Sequence, residues 1–202
     1  KDGDMDSRDI LTIKGLIRRG EARTASSYNN IPLDRVHFLD LPFYETGKIQ
    51  KNPISEADVE IVRNLLREIK PHQIFVAGDL ADPHGTHRVC TDAVFAAVDL
   101  EKEEGAKWLK DCRIWMYRGA WAEWEIENIE MAVPISPEEL RAKRNSILKH
   151  QSQMESAPFL GNDERLFWQR SEDRNRGTAT LYDQLGLASY EAMEAFVEYV
   201  PL

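Results

Sequence analysis

Asp82-Pro83-His84-Gly85-Thr86-His87 places two of the chain's five histidines three residues apart, beside a carboxylate and a glycine. Neutral imidazole and carboxylate are the ligands a zinc-type divalent cation takes, and a catalytic centre keeps one position open for water. Gly85 permits a close approach that a side chain would block. Asp82 can accept a hydrogen bond from an imidazole N–H and fix its tautomer. Thr86 is placed to cap a helix with His87 in its first turn, where the positive helix end disfavours imidazolium and keeps the ring available to a metal. Spacing alone is weak evidence, because five histidines in 202 residues give about 0.12 chance His-x-x-His pairs. The alternative is a loop pair making ordinary caps and hydrogen bonds.

The element that must position this loop is the apolar run Gln73-Ile74-Phe75-Val76-Ala77-Gly78, which reads as a parallel strand covered on both faces. A helix follows the loop, carried by Val89, Ala93, Val94, Ala96 and Ala97. Upstream, residues 7–27 form an amphipathic helix, with Ile10, Ile13, Leu16, Ile17 and Ala25 opposite Lys14, Arg18, Arg19 and Arg23. Residues 35–39 read as a strand and 40–53 as a loop. A capping-box start at Ser55-Glu56-Ala57-Asp58 opens a helix that Pro71 ends. Further on come strands at 114–117 and 128–133, then a helix from Ser136-Pro137 to about Gln153. Helical patterns around Arg165 and at 188–199 finish the chain. Strands alternating with helices predict an α/β fold: three αβα layers, Rossmann-like, around a mostly parallel sheet. In such sheets chemistry collects at the carboxyl ends of the strands.

Composition narrows the function. Lys and Arg number 26 against 35 Asp and Glu, a net charge of −9, which opposes nucleic acid and anionic membrane surfaces as partners. No 18-residue apolar run spans a membrane, and the N-terminus lacks the apolar core of a secretory signal. Cys90 and Cys112 lie among apolar residues and read as buried thiols of a reducing, cytoplasmic compartment. Neither a Gly-x-Gly-x-x-Gly nor a Walker-type loop occurs, so no nucleotide cofactor is indicated. The Lys14, Arg18, Arg19 and Arg23 patch suits a sugar phosphate, or is a solvated helix face. Trp115, Tyr117, Trp121 and Trp124 could stack on a pyranose, though core packing is the preferred reading.

The run from Gln73 to His87, an apolar strand and then Gly-Asp-x-x-Asp-Pro-His-x-x-His, resembles the signature of LmbE/PIG-L-like metal-dependent deacetylases of N-acetylglucosamine derivatives. Arg19-Gly20-Glu21-Ala22 resembles that family's Arg-x-Glu-Ala helix, and residues 36–42 its next strand and loop. Residues 146–153, with His150 and Ser152-Gln153, are similar to its late His-x-Ser-Gln helix. The tail at 175–196 looks closest to deacetylase-like halves fused behind a glucosamine-6-phosphate deaminase (isomerase) module. The resemblance implies amide hydrolysis on an N-acetylated amino sugar or its phosphate by a zinc-bound water. It implies His87 as metal ligand, His84 as the residue that stabilises the oxyanion and assists proton transfer, and His150 as substrate-facing or behind such a residue. Asp82, by its place beside His84, joins the catalytic candidates, and Arg19 and Arg23 of the basic patch the substrate-binding ones. The family's His-Pro-Asp-Asp motif, with its remaining ligands and base, does not occur in this sequence, which also starts at Lys1 without methionine. The expectation is therefore one N-terminally truncated domain over residues 1–202, matching the family at 16–153 with a helical tail at 154–202. Such a chain would hold no metal alone, would be inactive alone, and would self-associate or sit beside a polypeptide supplying the missing strands.

Overall fold

The structure, a computed structural model, describes residues 6–44, 51–78, 85–154 and 164–200. The chain divides into two compact units: Lys1–Phe38 with Ala120–Glu123 and Val133–Glu194, and Leu39–Gly119 with Trp124–Ala132 and Ala195–Leu202.

The second unit carries the expected strand and loop. Its first helix, α2 (Glu56–Ile69), starts as the sequence predicts: Ser55 Oγ caps the Asp58 amide, and Asp58 accepts from the Ser55 amide at 2.8 Å. Asp58 is fully buried and also accepts the Phe43 N–H at 2.9 Å, so one carboxylate ties the preceding loop to the helix start. Burial alone would raise its pKa; the Ser55 hydroxyl and the Phe43 and Ser55 amides outweigh that and hold it below the usual carboxylate value. Strand β1 (Gln73–Ala77) pairs in parallel with β2 (Arg113–Tyr117), in register from Gln73↔Arg113 to Ala77↔Tyr117. Helix α3 (Thr86–Glu103) makes the crossover between them. Val59, Val62 and Leu66 of α2 pack with Ala93, Ala97 and Val98 of α3 and with Val76 and Ile114 of the strands. The two small alanines allow the helix backbone to lie close to its neighbours. At the rim, Arg63 and Arg67 both bond Glu101 at 2.7 Å, closing α2 onto α3.

The sheet has four strands in the order β1-β2-β4-β3, with β3 at Met131–Ile135 and β4 at Ala192–Tyr199. The α/β class is the one expected, but the sheet is mixed: β4 runs antiparallel to β2, with Ile114 opposite Tyr199. Several expectations change. Residues 188–199 are not helical, since β4 occupies most of them. The region at 35–39 holds no strand; a 3-10 turn, Leu33–Arg35, leads into extended chain without a ladder partner among the described residues. The strand expected at 128–133 begins at Met131, after a 3-10 turn at Ile126–Asn128. Nor is β1 covered on both faces. It ends the sheet, and although Val76 is buried, Phe75 on the other face is 49% exposed and meets the Phe196 ring at 5.5 Å.

The first unit is helical. Helix α1 (Arg8–Tyr28) is capped by Ser7, and of its side chains Ala25 is the buried one. Helix α4 (Pro137–Ile147) opens with the reciprocal Ser136–Glu139 box but stops six residues short of Gln153. Its last turn tightens through Lys149 N–H to Ser146 O, and a separate 3-10 turn forms at Gln151–Gln153. Helix α5 (Phe167–Gln184) buries polar side chains: Glu172, Arg174, Asn175 and Thr178. Arg174 pairs with Glu123 at 2.6 Å and with Glu194, and Lys143 reaches Glu194 at 2.5 Å and Asn175 at 2.7 Å. Two cations and two carboxylates thus neutralise one another out of water.

Candidate functional site

The carboxyl end of β1 is built around Gly78. Its N–H donates to Tyr117 O at 2.7 Å, continuing the ladder one residue beyond the strand. A methyl group there would come within 2.6 Å of Trp124 Cζ2 and 2.9 Å of Met116 Cβ, so only glycine leaves this backbone where it is. Arg118, the residue after β2, donates from Nη1 to Gly78 O at 3.1 Å and lies 3.9 Å over the Trp124 ring. Strand end, tryptophan and guanidinium form one packed base.

Asp82 and His84 fall outside the described residues. The structure resumes at Gly85, which is itself the N-cap of α3 with φ 67°; Thr86, expected to cap, is the first helical residue. That left-handed backbone favours glycine and turns the chain sharply into the helix. His87 is the second residue of α3 and exposed, so it has the first-turn position the sequence suggests. Thr91 Oγ1 donates to Ala77 O at 2.7 Å, which ties the start of α3 to the carboxyl end of β1. Among the described residues no three His, Cys, Asp or Glu side chains come together as a metal would need.

In the other unit, two sequence segments singled out separately meet. Glu21 of α1 accepts the Ser152 amide at 2.7 Å and the Ser152 hydroxyl at 2.6 Å. With its amide turned to satisfy both partners, Gln153 accepts from Arg18 Nε at 2.9 Å. Burial pulls the Glu21 pKa up, but the two Ser152 bonds and the nearby His150 and Arg18 charges outweigh it and hold the carboxyl below its usual value. His150 therefore belongs to this cluster. Arg19 and Arg23 do not turn to it: both guanidinium groups lie over the Phe38 ring, at 5.3 and 5.4 Å. The basic patch is thus divided: Lys14 pairs with Asp6 at 2.5 Å, Arg18 reaches Gln153, and Arg19 and Arg23 lie over an aromatic face.

Other readings are settled by burial. Trp115 is core, whereas Tyr117 is partly exposed and Trp121 and Trp124 are half-buried beneath Arg170 and Arg118. The two thiols are not both buried: Cys90 is exposed and Cys112 half-covered, with burial raising the Cys112 pKa. No helix among the described residues is long and apolar enough to cross a membrane. Sequence reading missed Gly78, Arg118 and Glu21 as structural partners. Glu21 had a signal through its place in Arg19-Gly20-Glu21-Ala22, and Gly78 through its place at the head of Gly-Asp-x-x-Asp-Pro-His-x-x-His; Arg118 had none.

Residues 1–98, just under half of the chain, match the PIG-L family, described as GlcNAc-PI de-N-acetylase. The fold is shared with solved structures. The conserved protein TT1542 from Thermus thermophilus is 19% identical, with a TM-score of 0.59 over 99% of this chain and 77% of that one. GalB, the 4-carboxy-2-hydroxymuconate hydratase from Pseudomonas putida, is 13% identical, with a TM-score of 0.64 over 100% of this chain and 77% of that one. The N,N'-diacetylchitobiose deacetylase from Pyrococcus horikoshii is 17% identical, with a TM-score of 0.56 over 92% of this chain and 64% of that one. A hydratase and a deacetylase share this architecture, so the fold alone does not select the chemistry.

Proposed function

We propose that this chain is a deacetylase-like domain of the PIG-L type whose ligand is an N-acetylated amino sugar or its phosphate. The observation that carries the reading is the family match over residues 1–98, which includes the strand, loop and His87. The fold shared with a chitobiose deacetylase supports it. Within this reading His87 is the family's metal-ligand position, and His84 with Asp82 stabilises the oxyanion and moves the proton to the departing amine. His150, Arg19 and Arg23 are the substrate-binding candidates of this reading, the first by its likeness to the family and the arginines by the affinity of guanidinium for phosphate oxygens. Metal-dependent hydrolysis is assigned to a protein that also supplies the His-Pro-Asp-Asp residues this sequence lacks. Origin in a fusion with a glucosamine-6-phosphate deaminase-like module rests on the likeness of the tail at 175–196.

The test is acetate release from N-acetylglucosamine and its 6-phosphate, with zinc added, by a protein that carries this chain together with the His-Pro-Asp-Asp residues, and by its His87→Ala variant. Release that disappears in the variant establishes the hydrolase. Saturable binding of the sugar phosphate without release would favour the second reading, a non-catalytic sugar-phosphate-binding or assembly module. Neither binding nor release would sink both.

A further inference from the structure

We propose that Arg118 is an oxyanion-recognition residue that takes a phosphate group at the carboxyl end of β1 and β2. Its pairing distinguishes it from its neighbours. Within the same unit Arg63 and Arg67 reach Glu101, and Arg113 reaches Glu198 at 2.9 Å. Arg118 is half-buried, and its partners are the Gly78 carbonyl and the face of Trp124. No carboxylate among the described residues balances its charge, and its Nε–H is buried without an acceptor. A guanidinium partly withdrawn from water with neither counter-ion nor full hydrogen bonding is costly unless a ligand completes it.

Geometry argues in the same direction. One prong is held by a backbone carbonyl and the plane is fixed on an indole, so the fork is already oriented and little freedom is lost on binding. It stands directly after β2, at the carboxyl end of the parallel pair β1 and β2, the position where ligands bind in open α/β sheets. Helix α3 begins at that end, and its positive terminus adds to the local potential. The rest of the chain is acidic, with net charge −9, so an anion would be held here by a local site and not by diffuse attraction. In the sugar-phosphate reading of the preceding section, on which the substrate identity rests, this residue replaces the α1 patch as the phosphate's partner.

The experiment is titration of the full chain with inorganic phosphate, and separately with acetate, followed by tryptophan fluorescence. Saturable phosphate binding is expected, weakened about tenfold or more in Arg118→Met and only partly in Arg118→Lys. Lys110→Met, an exposed change elsewhere in the same unit, should leave it intact. Should Arg118→Met fail to fold, phosphate protection of Arg118 in the wild-type chain from phenylglyoxal, read by peptide mass, answers the same question. Equal affinity in Arg118→Met, absent saturable binding, absent protection, or acetate binding as tightly as phosphate would each overturn the proposal. Because the probe has no acetyl group, failure of deacetylation beside intact phosphate binding would sink the deacetylase reading and leave this one standing.

Discussion

Glu194 is the side chain on which the charged interior of the first unit depends. It accepts from both Arg174 and Lys143, whose side chains are 4% and 28% exposed. Glu194→Gln removes the carboxylate that a buried arginine and a largely covered lysine share, and should cost about 3 kcal/mol in denaturant unfolding. The pH dependence has a definite sign. Burial would raise the Glu194 pKa, but the Arg174 and Lys143 charges overcome it, so the folded carboxyl titrates below the ordinary 4.5. Its stabilisation is present above that ordinary value and is lost as pH falls through the lower folded one. Wild-type stability should therefore fall in that acid range, and Glu194→Gln should show a flatter profile there. An identical slope in both proteins would refute the assignment. Lys143 is held below the usual lysine range, first by burial and against the pull of Glu194. None of this network is legible in the sequence. Glu123, Lys143, Arg174 and Glu194 lie on separate segments in ordinary polar contexts, and only tertiary packing takes them out of water.

Among the elements, local chemistry decided what could be read. The Ser55 and Ser136 starts follow the sequence because a capping box closes within four residues. The last strand does not. Ala192-Met193-Glu194-Ala195 is rich in good helix formers, yet it opens β4, which lies between β3 and β2 in the sheet and pairs its far end, Val197–Tyr199, antiparallel with Ile114–Met116. The apolar strand before the histidine loop was readable from its composition, and so was the first-turn position of His87. Arg118 was not, since its distinction is that no carboxylate among the described residues pairs with it, which no spacing encodes. The junction at Gly78 yields an element-scale prediction. Gly78→Ala places a methyl 2.6 Å from the Trp124 ring and should cost about 1–3 kcal/mol, with a changed near-ultraviolet signal as the indole shifts. Trp124→Leu in the same background should recover part of the loss. An unchanged melting temperature in Gly78→Ala would mean that the junction is looser than its geometry.

At the scale of the molecule, apolar surface stands out against an acidic composition. Ile13, Leu16 and Ile17 of α1 are 57%, 64% and 49% exposed and lie along one side of the helix. We propose that this stripe makes the chain self-associate as concentration rises. Light scattering should show mass increasing with concentration at moderate salt, and Leu16→Lys should reduce it. A strictly monomeric chain at high concentration would dispose of the idea. The sequence showed the stripe as the apolar side of an amphipathic helix. What it could not show is that this side stays in solvent, because amphipathicity states which face prefers burial and not whether anything buries it.

The bond between Glu21 and Ser152 joins residues 131 positions apart, and between them lies the continuous stretch 39–119 that makes most of the second unit. A chain emerging from a ribosome therefore completes that stretch while α1 still lacks Ser152. At about 5–20 residues per second the wait is on the order of ten seconds, far longer than a helix needs to form. During that interval Glu21 has no Ser152 and Arg18 no Gln153 to hold α1 in place, and the helix is open to chaperones or to neighbouring nascent chains. Codon choice and translation speed across residues 39–152 thus become determinants of yield for this protein, although they alter none of its contacts.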